Sequence, residues 1–221
     1  MRGRFITFEG GEGTGKSTQA ALLAKRLRNF AIAVVQTREP GGSLGAEIIR
    51  HVLLSGAAKP FGPDAEALLF AAARADHIAA TIRPAVEQGR WVICDRYIDS
   101  TRAYQGVLGQ VDPRVINGLE RLVAGDLIPD LTVVLDIDPR VGLERAAVRR
   151  QSAAADRFEQ ETIEFHERLR LAYRDIAAAN PDRCILIDAH GSPEAISEAI
   201  WKIVDRRLEP STAPAMIEAA S

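Results

Sequence analysis

Residues 10–17, Gly-Gly-Glu-Gly-Thr-Gly-Lys-Ser, fit GxxxxGK[ST] without a gap, and their flanks narrow the fold further. Residues 4–8 are apolar enough for a strand, and residues 17–27 carry helix formers at helical spacing. A strand, a glycine-rich loop and a helix in that order aim backbone N–H groups and a helix N-terminus at phosphate oxygens. Gly10, Gly11, Gly13 and Gly15 permit the close approach. Lys16 is spaced to reach the β- and γ-phosphates of a nucleotide and Ser17 to bind Mg2+, with Glu12, Thr14 and Thr18 completing the run. A base-reading NKxD sequence is absent, which argues against a GTPase, and 221 residues are few for a motor or transporter ATPase. A compact kinase using ATP is the class that remains.

Five short apolar runs, residues 5–8, 33–36, 91–94, 132–135 and 184–187, alternate with longer stretches rich in Ala, Leu, Arg and Glu, such as 19–27 and 164–178. Runs this continuous predict strands buried on both faces, hence a parallel sheet with helices on either side. The expected fold is α/β, a three-layer P-loop NTPase architecture around a five-stranded parallel sheet. Asp138 before Pro139, and Ser192 before Pro193 and Glu194, read as helix N-caps. Residues 1–209 read as one kinase domain. A mobile lid is expected at about 148–156, where residues 151–155 are small and polar, and a flexible tail at 210–221.

Composition removes other classes. A formal net charge of −2 argues against a general nucleic-acid binder. No apolar run reaches transmembrane length, and the N-terminus does not read as a signal peptide. Cys94 and Cys184 sit inside apolar runs as buried free thiols, so a soluble cytoplasmic protein is expected, with no membrane partner.

Residues 91–94 end in Asp95-Arg96-Tyr97, a strand followed by an acid as in a Walker B segment. Ligands of doubly wound sheets sit at the carboxyl ends of strands. Asp95 is therefore placed to support Mg2+ through water, and Arg96 to clamp an anion. Asp136 after residues 131–135 is a competing match, ranked lower because Asp138 and Pro139 give that segment a helix-start role. Residues 37–42, Thr-Arg-Glu-Pro-Gly-Gly, follow the second apolar run in the same way and place Arg38 and Glu39 beside a turn.

The succession FEGxEGxGKST, TREPGG, LLFAAAR and DRYxxSTxAYQG, closed by a late arginine-rich stretch, resembles the bacterial thymidylate kinases from residue 4 to about 207. The resemblance implies phosphorylation of dTMP to dTDP by ATP with Mg2+, in a homodimer. Phe70 and Arg74 are four apart in a helix expected over 65–77, so they share a face. Spacing alone reads Phe70 as core; the resemblance sets it against thymine, with Arg74 on a base carbonyl. By the same likeness Thr101 and Gln105 address the base edge, and Tyr104 crowds the sugar 2′ position. Arg50 joins Arg38 or Arg96 at the acceptor phosphate. Glu12 lies near the acceptor sugar and Mg2+, and Glu39 is a further acceptor-site or metal-shell group. Asp76 and His77 read as structural.

A phosphate monoester is largely a dianion at neutral pH, its second pKa lying near ~6, so no general base is required. The difficulty is repulsion between two anions, which calls for positive charge, metal and exclusion of water. Arg145, Arg149, Arg150 and Arg157 cluster around the polar stretch, whereas the phosphate loop holds Glu12, Gly13 and Thr14 where some thymidylate kinases place an Arg. Arg149 is expected nearest the transferred phosphoryl group, with Arg145 and Arg157 as rivals; residues 156–159, Asp-Arg-Phe-Glu, resemble the family's loop-closing motif. Adenine contacts are expected near residues 188–192. The alternatives are another nucleoside-monophosphate kinase of this fold and a P-loop protein that senses nucleotide without turnover.

Overall fold

The computed structural model describes residues 2–150 and 157–210, Arg149 and Arg150 by their backbone alone. Apart from Val148 and Pro210, the expected lid and tail fall on residues outside this description or, at 149 and 150, at its edge.

β1 (Phe5–Glu9) leads through the glycine-rich loop into α1 (Lys16–Asn29), and β2 (Val34–Arg38), α2 (Leu44–Leu54) and α3 (Gly62–His77) follow. A π-helical turn, Ile78–Ile82, and α4 (Arg83–Glu87) precede β3 (Trp91–Asp95). α5 (Ile98–Thr101) runs into a second π-helical segment, Arg102–Leu108, and then α6 (Pro113–Val123). β4 (Leu131–Asp136), α7 (Pro139–Arg150), α8 (Ile163–Ala179), β5 (Cys184–Asp188) and α9 (Pro193–Leu208) complete the chain. Among the described residues the five strands form one sheet in the order β2-β3-β1-β4-β5. Every pairing is parallel. The strand order reverses at β1, so a crevice opens past its carboxyl end, where the glycine-rich loop begins.

Alternation along the strands divides the core. Ile6, Phe8, Ile93, Leu131 and Val133 pack with Leu23 and Leu27 of α1 and with Ile200 and Trp201 of α9. Phe5, Val92 and Cys94 face the other way, onto Ile82, Val86, Tyr97 and Ile98. Full burial of side chains such as Phe5 and Phe8 contributes roughly 1.5–3 kcal/mol each. Thr7 is polar in the central strand, but its hydroxyl meets that of Thr132 at 2.8 Å, so neither is buried unpaired. Both expected caps form: Asp138 accepts from Arg140 N at 2.8 Å and Ser192 from Ala195 N at 3.2 Å.

Burial on both faces holds for β1, β3 and β4 but not for the outer strands. Gln36 of β2 is exposed and Val34 half-buried, and Leu186 of β5 is 42% exposed. An edge strand lacks a neighbour on one side, and an apolar run does not reveal that it stands at the edge. β1, β3, β4 and β5 each run one residue past the expected end, finishing on Glu9, Asp95, Asp136 and Asp188. The helix expected from residue 65 begins at Gly62 with Pro63 in its first turn. No helix of the described residues is long and apolar enough to cross a membrane.

Candidate active site

The glycine-rich loop sets Lys16 at the first position of α1 with its side chain buried. Its Nζ donates to the Gly11 carbonyl at 2.6 Å and the Gly10 carbonyl at 3.2 Å. Burial, and after it the nearby Arg96, brings the ammonium pKa down to about 8. Gly13, at φ 65°, lies so close to α7 that a Cβ there would sit 1.7 Å from the Gly142 carbonyl oxygen. A Cβ on Gly142 would in turn sit 2.4 Å from the Glu12 carbonyl oxygen, so loop and helix meet backbone to backbone. Ser17 is exposed at the helix N-terminus, and its hydroxyl donates to the Asp95 carboxylate.

Arg96 follows β3 with φ 69°, a left-handed conformation that costs a non-glycine residue energy and tends to be kept where a side chain must be aimed. Its guanidinium donates to Glu12 Oε1 at 2.5 Å, the Gly10 carbonyl at 3.1 Å, Tyr173 Oη at 3.0 Å and Ser100 Oγ at 3.3 Å. Tyr104 Oη donates to the same Glu12 oxygen at 2.9 Å. Burial opposes ionisation of Glu12, but Arg96 and then Lys16 outweigh it, and its pKa falls to about 2. Beneath this hub, Glu9 accepts from Tyr97 N at 2.7 Å, Ser100 Oγ at 2.7 Å and Tyr173 Oη at 3.2 Å. Burial first, and then Asp99, pushes Glu9 up to about 7.

On the far side, Phe70 and Arg74 of α3 share a face and both line the cavity. Arg74 is buried: Nε donates to Glu39 Oε2 at 2.7 Å, and Nη2 to the Tyr97 carbonyl at 3.0 Å and Thr101 Oγ1 at 3.1 Å. The other Glu39 oxygen lies 3.1 Å from His77 Nδ1, whose ring partner nitrogen is 2.7 Å from Thr37 Oγ1. Glu39 therefore spends both oxygens fixing Arg74 and His77, a structural use beyond the expected acceptor or metal role. Asp76, as read, is structural too, accepting from Ser43 Oγ at 2.7 Å and Ala46 N at 3.1 Å. Arg50 donates to the Pro40 carbonyl at 2.6 Å and Arg38 to Glu47 at 2.8 Å, and both face the cavity.

One cavity thus gathers Glu12, Gly13, Gly15, Lys16 and Ser17 with Glu39, Arg50, Phe70, Arg74, Asp95, Arg96, Thr101, Tyr104 and Gln105. Gly10, Gly11 and Thr14 line a small neighbouring recess with Asp136 and Tyr173. Thr18, next to Ser17, is exposed. Asp136, the rival to Asp95, is bound by Arg170 at 2.6 and 2.9 Å and by Arg174 at 2.9 Å.

Two of the expected lid arginines point elsewhere. Arg145 donates to the Ala189 carbonyl at 3.0 Å, beside the loop after β5, and Arg157 pairs with Glu66 of α3. The side chain of Arg149 lies outside the described residues. Unforeseen in the sequence are Glu66, Ser100, Phe158 and Tyr173. Phe158 completes an aromatic wall, 5.0 Å edge-on to Tyr104 and 6.5 Å from Phe70. Its only sequence signal is its place in the Asp-Arg-Phe-Glu run, and Glu66 has none.

The Ser17 hydroxyl and Asp95 carboxylate are hard oxygen donors side by side, which suits Mg2+. No group of three or more His, Cys, Asp or Glu among the described residues could hold a metal unaided.

Residues 8–200 match the family described as Thymidylate kinase. Thymidylate kinase of Nitrobacter hamburgensis is 59% identical over 208 residues, covering 94% of this chain and 90% of that protein. That of Bradyrhizobium diazoefficiens is 58% identical over 212 residues, covering 96% and 93%. The crystal structure of thymidylate kinase from Ehrlichia chaffeensis superposes with a TM-score of 0.73 at 36% identity, covering 93% of this chain and 99% of that one.

Proposed function

The chain belongs to the thymidylate kinase family, and on that premise we propose that it moves the γ-phosphoryl group of ATP to dTMP inside the cavity just described. The observation that carries this reading is that Lys16 and Ser17, the Arg96–Glu12 bridge, and Phe70 with Arg74 all line one space. Phosphate-binding and base-binding groups in one cavity suit a nucleotide that accepts a phosphoryl group.

The proposed roles follow from charge and reach. Loop N–H groups and Lys16 hold the donor phosphates. Ser17 and Asp95 would hold Mg2+, which when bound neutralises charge on the donor phosphates. Burial opposes the charge of Arg96, but the Glu12 carboxylate holds it as a cation, and Arg96 and Arg50 both face the acceptor phosphate. The acceptor phosphate attacks as an oxyanion, so no side chain need take a proton. Glu12 orients Arg96 and Tyr104 together. Phe70 stacks on the base. Arg149, on the last turn of α7, is the proposed partner of the group in flight. A rate comparison across dTMP, dUMP, dCMP, CMP and AMP tests the reading: dTMP should be fastest, and a best rate with AMP or CMP overturns it.

We propose a homodimer through the faces of α2, α3 and α6. Leu44, Ile48 and Leu68 are 85%, 64% and 57% exposed, and Leu122 is 81% exposed beside an apolar groove between α3 and α6. Leu68 and Leu122 line that groove together, and an exposed apolar groove of this kind favours a partner. Sedimentation should give twice the monomer mass, and Leu122→Asp should reduce it; a wild-type monomer refutes the arrangement. Buried free thiols at Cys94 and Cys184 support a reducing cytoplasmic location.

A further inference from the structure

Glu66 is a carboxylate where a surface residue would be expected. It lies on α3, four residues before Phe70 and eight before Arg74, and is 4% exposed. One oxygen accepts from Arg157 Nη1. The other lies 3.5 Å from Gln105 Nε2, at the long end of hydrogen-bonding range. Burying a carboxylate is costly even when it is paired, and a neutral Gln would fill the same space. The charge therefore calls for a use.

That use can be read from donor and acceptor chemistry. An ionised carboxylate accepts hydrogen bonds and cannot donate them, whereas an amide can do either according to which end it presents. Facing Glu66, the Gln105 amide must turn its NH2 group inward to the carboxylate. Its carbonyl oxygen is then left for the cavity that Gln105 helps to line. That oxygen is not among the enclosed polar atoms without a partner. Arg74, which lines the same cavity, commits Nε and Nη2 to Glu39, Tyr97 and Thr101, which leaves Nη1 as its uncommitted donor group. The cavity lining thus offers an acceptor on Gln105 and a donor on Arg74. A ring imide, N–H beside C=O, is the complement of that pair. An aminopyrimidine, with a bare ring nitrogen beside an NH2 group, is its inverse.

We propose that Glu66 is a specificity-determining positioning residue, which locks the Gln105 amide so that the site takes an imide pyrimidine and rejects an aminopyrimidine. The inference rests on the acceptor reading given above. A simple latch between α3 and residue 157 would be the plainer role for the Glu66–Arg157 pair, and it predicts equal losses on every acceptor.

The test measures kcat/KM for dTMP, dUMP and dCMP on the wild type, Glu66→Gln, Gln105→Met and the double variant, each first shown to be folded by its thermal melt. The Gln substitution is isosteric and frees the Gln105 amide to turn. Glu66→Gln should lower the dTMP-to-dCMP ratio about tenfold or more, the scale of one misplaced buried hydrogen bond. The change should appear in the acceptor KM more than in kcat, with dUMP falling alongside dTMP. In the Gln105→Met background the same substitution should leave the ratio unmoved, because its effect passes through Gln105. Gln105→Met alone should also reduce the ratio, which serves as the readout if Glu66→Gln does not fold. An unchanged ratio in Glu66→Gln, or in Gln105→Met alone, overturns the inference while dTMP stays the preferred substrate of the wild type. A wild type that prefers dCMP overturns this inference and the acceptor reading together.

Discussion

At the proposed phosphate end of the cavity, backbone from one short stretch, residues 10–15, is held against β4 and α7, with Lys16 and Ser17 at its edge. At the proposed base end, Phe70 and Arg74 from α3, Thr101 from α5, Tyr104 and Gln105 from the π-helical segment, and Phe158 from beyond α7 converge from separate elements. The first is a local structure whose shape follows from glycine conformation. The second exists only once the sheet has assembled, and each polar group in it is aimed by another, as Arg74 is by Glu39. Peptide N–H groups suit phosphates shared by all nucleotides, whereas side-chain pairs can tell one base from another.

Three substitutions test that division, the most damaging first. Lys16→Ala removes the one cation of the loop, so kcat should fall about a thousandfold or more. Calorimetry should still detect dTMP binding; its loss would show that the two ends are not separable. Phe70→Ala should weaken dTMP by about 5- to 150-fold, the range of one base–aromatic stack. ATP affinity should stay put, and equal losses for both nucleotides would break the comparison.

The smallest effect concerns Glu9, which lies under both ends. Its folded pKa of about 7 stands above the ordinary 4.5, so between these values the native state holds a proton that the unfolded chain has released. Its contribution to stability is complete below pH 4.5 and is lost as pH rises toward 7. Denaturant melts of Glu9→Gln should lack that part of the decline. Matching pH profiles for wild type and variant would remove Glu9 as its source.

The phosphate end is legible in the sequence because its determinants are contiguous and their order dictates a strand, a loop and a helix. Asp95 can be placed as well, since an acid at the end of a buried strand falls at the carboxyl edge of the sheet. Phe70 and Arg74 can be paired by helical spacing, but spacing alone does not say that their shared face looks into a cavity. Glu66 cannot be found this way, because its partners are 39 and 91 residues distant. The arginines after residue 144 show the same limit. Their clustering announces positive charge, yet Arg145 turns to Ala189 and Arg157 to Glu66. Charge is written in composition, but direction is set by which neighbours the fold delivers.

The meeting of Gly13 with Gly142 has a mechanical side. No side chain cushions the contact, so α7 rests on the glycine-rich loop like a lever on its fulcrum, with Arg145 and Arg149 along its arm. Raising the fulcrum by even one methyl group would tilt the arm, and the displacement would grow with distance along it. The smallest residues in this neighbourhood thereby set the path of the helix backbone that carries the largest ones.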